Sequence, residues 1–310
     1  MASKEPKNIA DYILPLNMNG LKGRMLRMPA PTNKKREILF IYGHHSSLER
    51  WWGVIQDLNQ YGAVTVPDLP GFGGMDSFYK IGQKPTVDAL ADYLASFIKL
   101  RYRNKKVSIA GLSFGFVVTT RMLQKYPELA KKVNLLVSVV GFSHRDDFTF
   151  STPRYWFYRS AAWLFSRRIP AFFFKNLALN PLVLRAVYAR TANAKTKFVG
   201  KEKVAYKETM DAEVGLWHSN DLRTHMFTSV QFLKIDNCTQ QVNLPVWHIS
   251  VKADQYFDNH LIEQHMRIIF SDFHQARSRL KNHAPSVIAE AEEAAPLLPT
   301  KIRRLLSQHP

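Results

Sequence analysis

Five short apolar runs constrain this chain more than any other feature. They are residues 38–41 (ILFI), 63–66 (AVTV), 107–110 (VSIA), 135–140 (LLVSVV) and 246–251 (VWHISV). Each is rich in β-branched residues and bounded by Gly, Pro or Asp, as strands covered on both faces are. Helical patterns lie between them. WWGVIQDLNQYG places Trp51, Val54, Ile55 and Leu58 on one stripe, and VDALADYLASFIKLRY does the same with Leu90, Tyr93, Leu94, Phe97 and Ile98. Strands alternating with helices predict an α/β fold built on a mostly parallel sheet flanked by helices.

The alternation stops near Ser143 and resumes at Pro245. The intervening stretch is aromatic, basic and helical in pattern, which predicts a helical cap over 143–244 inserted into a core of 1–142 and 245–310. Beyond the last run, HQARSRL reads as a strand and KNHAPS as a loop. A final amphipathic helix containing AEAEEAAPLLPTKIRRLL follows, which Pro296 and Pro299 should break or kink. With 310 residues, 46% of them hydrophobic, the chain can bury a large core.

The formal net charge is +18. It is uneven, since residues 148–201 hold ten Lys or Arg and no Asp or Glu. Such a balance favours anionic partners. The single cysteine, Cys238, excludes an internal disulfide and suits a reducing compartment. The N-terminus lacks a charged segment followed by an apolar one, and no apolar run approaches the length of a membrane span. The expectation is a cytoplasmic, soluble protein, monomeric or weakly associating.

Residues 111–115 read Gly-Leu-Ser-Phe-Gly, directly after a predicted strand and opening a predicted helix. That is the context in which a G-x-S-x-G turn presents a nucleophile. Gly111 and Gly115 remove Cβ atoms where the turn is tight. The helix amino end supplies free N–H groups. Ser113 is therefore the candidate nucleophile, against the plainer role of a serine capping a helix. The partners expected after it in chain order are an acid and a histidine. Asp254 lies just past the strand VWHISV, and His283 lies in KNHAPS. Asp258 is the nearest rival acid, and His274 falls inside a predicted strand. In this scheme His283 is the general base, and Asp254 fixes its tautomer.

An oxyanion hole is needed where charge develops on a carbonyl oxygen. ILFIYGHHSS offers a strand, then Gly43, then a polar loop, so the N–H of His44 is the first donor. The N–H of Phe114 is the second. The pair His44–His45 has no carboxylate or cysteine cluster beside it, so no metal site is expected. Ser-His-Asp chemistry needs no cofactor.

These segments resemble the cap-bearing members of the α/β-hydrolase superfamily. The likeness spans most of the chain and rests on FIYGHHSSLERW, VTVPDLPGFGGMDS, AGLSFG, VKADQYF and NHAPSV. It implies an eight-stranded, mostly parallel sheet with the triad on loops, and a scaffold role for Asp68 and Gly71. Two positions depart from the family habit. Tyr42 stands where a histidine is frequent, and Asn282 where a glycine is frequent. A serine nucleophile argues against the family's dehalogenases and epoxide hydrolases.

The function expected is acyl transfer to water on carboxylic esters or related small acyl compounds with an apolar acyl part. Carbon–carbon bond hydrolysis, amide cleavage and acyl transfer to an alcohol share the same triad and stay open. A non-catalytic module on a hydrolase fold would be expected to lack one triad member. The basic, aromatic cap has three readings. It lines an apolar pocket, or it lies on anionic lipid at the inner membrane face, or it binds nucleic acid. Phosphate contacts alone need no such apolar density, which weighs against nucleic acid.

Overall fold

A computed structural model describes residues 8–190, 203–252, 254–280, 283 and 291–308. Eight strands form one sheet. They are β1 (Ile13–Met18), β2 (Leu21–Met28), β3 (Arg36–Ile41), β4 (Gly62–Pro67), β5 (Val107–Leu112), β6 (Val133–Val139), β7 (Val246–Ser250) and β8 (Phe273–Arg277). Their spatial order is β1-β2-β4-β3-β5-β6-β7-β8. Strands β3 to β8 run parallel, and β1 and β2 pair antiparallel at one edge.

The five apolar runs are β3 to β7. Every residue of β3, β4 and β5 is buried, including the polar Arg36, Glu37, Thr65 and Ser108 beside the apolar runs. Sequence reasoning passed over the β1–β2 hairpin. Its signal is Asn19-Gly20, both at positive φ (54° and 79°), the two-residue turn that matches strand twist. At the other end, HQARSRL is strand only as far as Arg277. Ser278 and Arg279 turn away to bond the Pro296 carbonyl.

The helices flanking the sheet fall into two groups. α1 (Trp52–Asn59) packs with the carboxyl-terminal helices, and α2 (Val87–Arg101) packs with α3 (Phe114–Lys125). Between β6 and β7 the chain runs through α4 (Thr152–Phe165), α5 (Arg168–Leu177), α6 (Pro181–Arg190), α7 (Lys203–Ser219) and α8 (Leu222–Phe232). This excursion has a small core of its own around Ala171, Leu179, Leu184, Val214 and Leu222. After β7 come α9 (Asn259–Ile269), β8, α10 (Ala291–Ala294) and α11 (Thr300–Ser307). Pro296 and Pro299 do interrupt the terminal helix, leaving a single 3-10 turn at Ala295–Leu297 between its two pieces.

One buried charge explains how the last helix is fixed. The Arg36 guanidinium donates to Ser108 Oγ at 2.7 Å and to the carbonyls of Leu306 and Gln308 at 2.9 and 2.6 Å. A cation at a helix carboxyl end satisfies carbonyls that have no partner within the helix.

The strand order also places the site. From β3 the chain moves to one side, to β4, and from β5 it moves to the other, to β6. The crevice outside the carboxyl ends of β3 and β5 is the switch point where such sheets bind ligands.

Candidate active site

Ser113 follows β5 at φ 49° and ψ −117°, and α3 begins at the next residue. A non-glycine residue held there stores roughly 1–3 kcal/mol of strain. The two glycines make the turn fit. A Cβ on Gly111 would lie 2.8 Å from Phe116 Cα, and one on Gly115 would lie 2.3 Å from the Ile41 carbonyl oxygen. Gly115 thus lets the first turn of α3 press against the end of β3. Gly43 does the same from the other side, since a Cβ there would meet Leu112 Cδ2 at 2.9 Å and Ser113 Cβ at 3.3 Å. The loop after β3 therefore touches the serine. Among the described residues no backbone carbonyl takes the N–H of His44 or of Phe114.

Asp254 follows β7, and its two oxygens divide their work. Oδ1 accepts from the N–H groups of Tyr256 and Phe257 at 2.9 and 3.3 Å. Oδ2 lies 2.6 Å from His283 Nδ1. Both side chains are largely buried, at 3% and 12% exposure. Asp258 has a different task, capping α9 by accepting from His260 N at 2.8 Å and Leu261 N at 3.3 Å. His274 pairs with Asp272 at 2.8 Å and stacks on Trp247 within the sheet. Of the loop around His283, the neighbouring Lys281 and Asn282 and residues 284–290 lie outside the described residues, as does Ala253 beside Asp254.

Aromatic rings join these parts. The His283 ring lies 5.2 Å from Tyr256 and 5.3 Å from Phe257. Phe257 stacks on Phe142 at 4.7 Å, and Phe142 contacts Phe232 at 6.1 Å. Phe232 in turn lies 5.9 Å from Phe114, the residue after the serine. An apolar wall thus runs from the elbow to the histidine. It draws on the loop after β6, on α8 and on the loop after β7. Sequence reasoning did not single out these rings, because four phenylalanines from four segments carry no common spacing.

The side chain of His44 is fixed by α8. Its Nε2 lies 2.8 Å from Thr228 Oγ1. The Thr228 hydroxyl is itself 2.8 Å from the Thr224 carbonyl, where it donates its proton. It therefore accepts from His44, which sets the Nε2–H tautomer. Burial holds the His44 imidazole well below its ordinary pKa, with His225 and His45 adding to the effect. His225 packs against it at 4.3 Å and is itself pushed down to about 4 by burial. Among the described residues no cluster of three or more His, Cys, Asp or Glu is placed to hold a metal ion.

The departure at Tyr42 has a structural reason. Its hydroxyl donates to Asp68 Oδ1 at 2.7 Å and accepts from Leu69 N at 3.2 Å, tying the loop after β4 to the end of β3. Asp68 Oδ2 accepts from Arg24 Nε at 2.8 Å, and Arg24 also forms a two-pronged pair with Glu49 at 2.6 and 2.9 Å. Burial pushes the Asp68 carboxyl up to about 7, against the pull of Arg24 and of the Tyr42 hydroxyl. Gly71 takes φ 86°, and its carbonyl accepts from Asp221 N at 2.8 Å. Asp68 and Gly71 thus hold the loop after β4 to β2, to the end of β3 and to the start of α8. A cleft of about 540 Å³ opens beside these loops, between Ser47, Arg50, Gly74 and the Leu216 turn of α7.

A second Asp–His pair also exists. His265 Nδ1 lies 2.6 Å from Asp147 Oδ1, and Asp147 Oδ2 accepts from the N–H groups of Ser143 and His144 at 2.8 and 2.9 Å. Asp147, fully buried, pins the chain where it leaves β6, and Cys238 sits beside the pair with its thiol pushed up to about 11 by burial.

The comparisons with known proteins agree with this architecture. A family profile of the alpha/beta hydrolase fold matches residues 38–264. The chain belongs to that family and is a hydrolase of that fold. A search of curated proteins finds no match. Among solved structures, an epoxide hydrolase, CorEH, superposes with a TM-score of 0.64 at 17% identity, covering 95% of this chain and 97% of its own. An enol-lactonase from Burkholderia xenovorans LB400 gives 0.63 at 12% identity, covering 94% and 99%. An esterase from Thermogutta terrifontis gives 0.60 at 17% identity, covering 95% and 96%. At such identities the likeness is one of fold.

Proposed function

We propose that this protein is a serine hydrolase that cleaves carboxylic esters or related acyl compounds with an apolar acyl part. The observation that carries the reading is Ser113 at φ 49° on the elbow, together with an Asp254–His283 pair closed at 2.6 Å. With Nδ1 held by Asp254, Nε2 of His283 is the nitrogen that takes the serine proton. The Ser113 oxygen then attacks the substrate carbonyl carbon. The oxygen that becomes negative is held by the N–H groups of His44 and Phe114. His283 returns its proton to the leaving alcohol, and an acyl-enzyme remains. Water, deprotonated by the same histidine, releases the acid and restores the serine.

Among the described residues the Ser113 hydroxyl donates no hydrogen bond, and such contacts often tighten only when substrate is bound. The apolar wall of Phe142, Phe232 and Phe257 suits an apolar acyl chain better than a charged one. The helical excursion, through α8, closes over the oxyanion loop as a cap.

The test is covalent labelling by an alkyl fluorophosphonate, with the modified peptide located by mass spectrometry. Labelling confined to Ser113, and lost in His283→Ala, is the expected result. Ser113 left unlabelled while the protein remains folded would remove the reading.

A further inference from the structure

The outer face of α4 and α5 reverses the usual pattern of a helix on a protein surface. In α4, Trp156, Phe157, Trp163 and Leu164 share one face at positions i, i+1, i+7 and i+8, and all four are exposed. In α5, Ile169, Phe172, Phe173 and Leu177 do so at i, i+3, i+4 and i+8, with Ile169 71% and Leu177 70% exposed. The buried positions of the same helices are Ala162 and Ala171. A surface helix normally turns its apolar stripe to the core. Here the small residues face inward and the large rings face solvent. Exposed apolar patches of this kind mark interaction sites.

Cations thread this face. The Arg159 guanidinium lies 4.7 Å from the Trp156 ring, and that of Arg167 lies 3.9 Å from the Trp163 ring. Arg168 and Lys175 stand exposed on α5, and no acidic residue occurs between positions 148 and 201. No helix among the described residues is long and apolar enough to cross a membrane.

We propose that this face docks on an anionic lipid bilayer, with α4 and α5 lying in the plane of the interface. The charge and the apolar stripe select this occupant together. A second copy of the chain would bring the same cations against themselves, because a two-fold interface pairs a patch with its own image. At an anionic headgroup layer the rings enter the boundary region while the arginines and Lys175 reach the phosphates. The surface is tied to the site, for Tyr155 of α4 donates to the Leu233 carbonyl at 2.6 Å, just past the α8 helix that holds His44. The proposal stands independently of the hydrolase reading.

The test is co-sedimentation of the full chain with vesicles of phosphatidylcholine and phosphatidylglycerol, about three to one, beside vesicles of phosphatidylcholine alone. Binding is expected to the anionic vesicles at low salt, with release at high salt, where the Debye length falls to about 3 Å. The exposed double variant Phe172→Ser/Phe173→Ser keeps every charge and should bind at least about tenfold more weakly. It should keep the circular-dichroism spectrum of the parent. Failure of the parent to bind anionic vesicles overturns the proposal. So does equal binding by the double variant, which would mean attraction by charge alone. A dimer in light scattering that the double variant converts to monomer would assign the face to a second copy and also overturn it.

Discussion

Ser113, Asp254 and His283 show what can be read at the level of single residues. The serine was legible because its turn demands glycine on both sides, and both glycines are required by contacts under 3 Å. Gly115→Ala is expected to destabilise the fold by about 1–3 kcal/mol, since its Cβ would fall on backbone rather than on a side chain that can move. Urea unfolding measures this, and a loss below the error of the extrapolation would contradict the packing described. Position after a strand favours Asp254 over Asp258 in the sequence, and in the structure Asp254 bonds His283 while Asp258 caps α9. Asp254→Asn should lower ester turnover about 10⁴-fold with the fold intact, because the amide cannot hold the productive histidine tautomer. A parallel steady-state comparison checks it, and turnover within tenfold of the parent would remove Asp254 from the proposed triad. Thr228 could not have been found from sequence. A threonine in a helix carries no mark of the imidazole it faces across 184 residues.

At the level of elements, the parallel strands were legible because a strand covered on both faces is written almost entirely in apolar residues. The β1–β2 hairpin was harder, since its residues are half exposed and its alternation is broken by Pro15, Asn17 and Lys22. Only Asn19-Gly20 marked the turn. Neither could the sequence show that Arg24, in the strand next to the edge, reaches across to two loops. It staples Asp68 after β4 and Glu49 after β3, and Asp68 is wholly buried. Arg24→Met leaves that carboxylate without its cation. The expected cost is about 1–3 kcal/mol, limited because a carboxyl already raised to about 7 takes a proton once the cation is gone, measured by denaturant titration at neutral pH. A variant as stable as the parent would show that the staple contributes nothing. The stripe of α5 illustrates a limit of periodicity. The spacing declares a helix with one apolar face, but only the structure tells which way the face is turned.

At the level of the whole molecule, three buried histidines tie stability to pH. Burial holds His225 and His248 down at about 4 and His44 well below its ordinary value. Between pH about 6.5 and 4 the unfolded chain binds protons on these rings that the native chain does not, so stability falls as pH falls. Asp68, raised to about 7, works in the opposite sense and offsets one proton. The net expectation is a loss approaching about 2–3 kcal/mol per pH unit between pH about 6 and 4. Urea unfolding at a series of pH values measures it, and a flat or rising profile there would contradict the burial of these rings. The parallel sheet with its helical excursion was legible because the alternation of runs and stripes extends over most of the chain. The substrate was not legible, because the shape of an acyl pocket depends on rings brought together from separate segments.

The proposed chemistry rests on the Ser113 hydroxyl as nucleophile. The most direct measurement is hydrolysis of p-nitrophenyl esters of increasing acyl length by the parent and by Ser113→Ala. Turnover should favour apolar acyl chains and fall at least about 10³-fold in the variant. Equal turnover by both proteins would contradict it and leave the elbow as architecture alone.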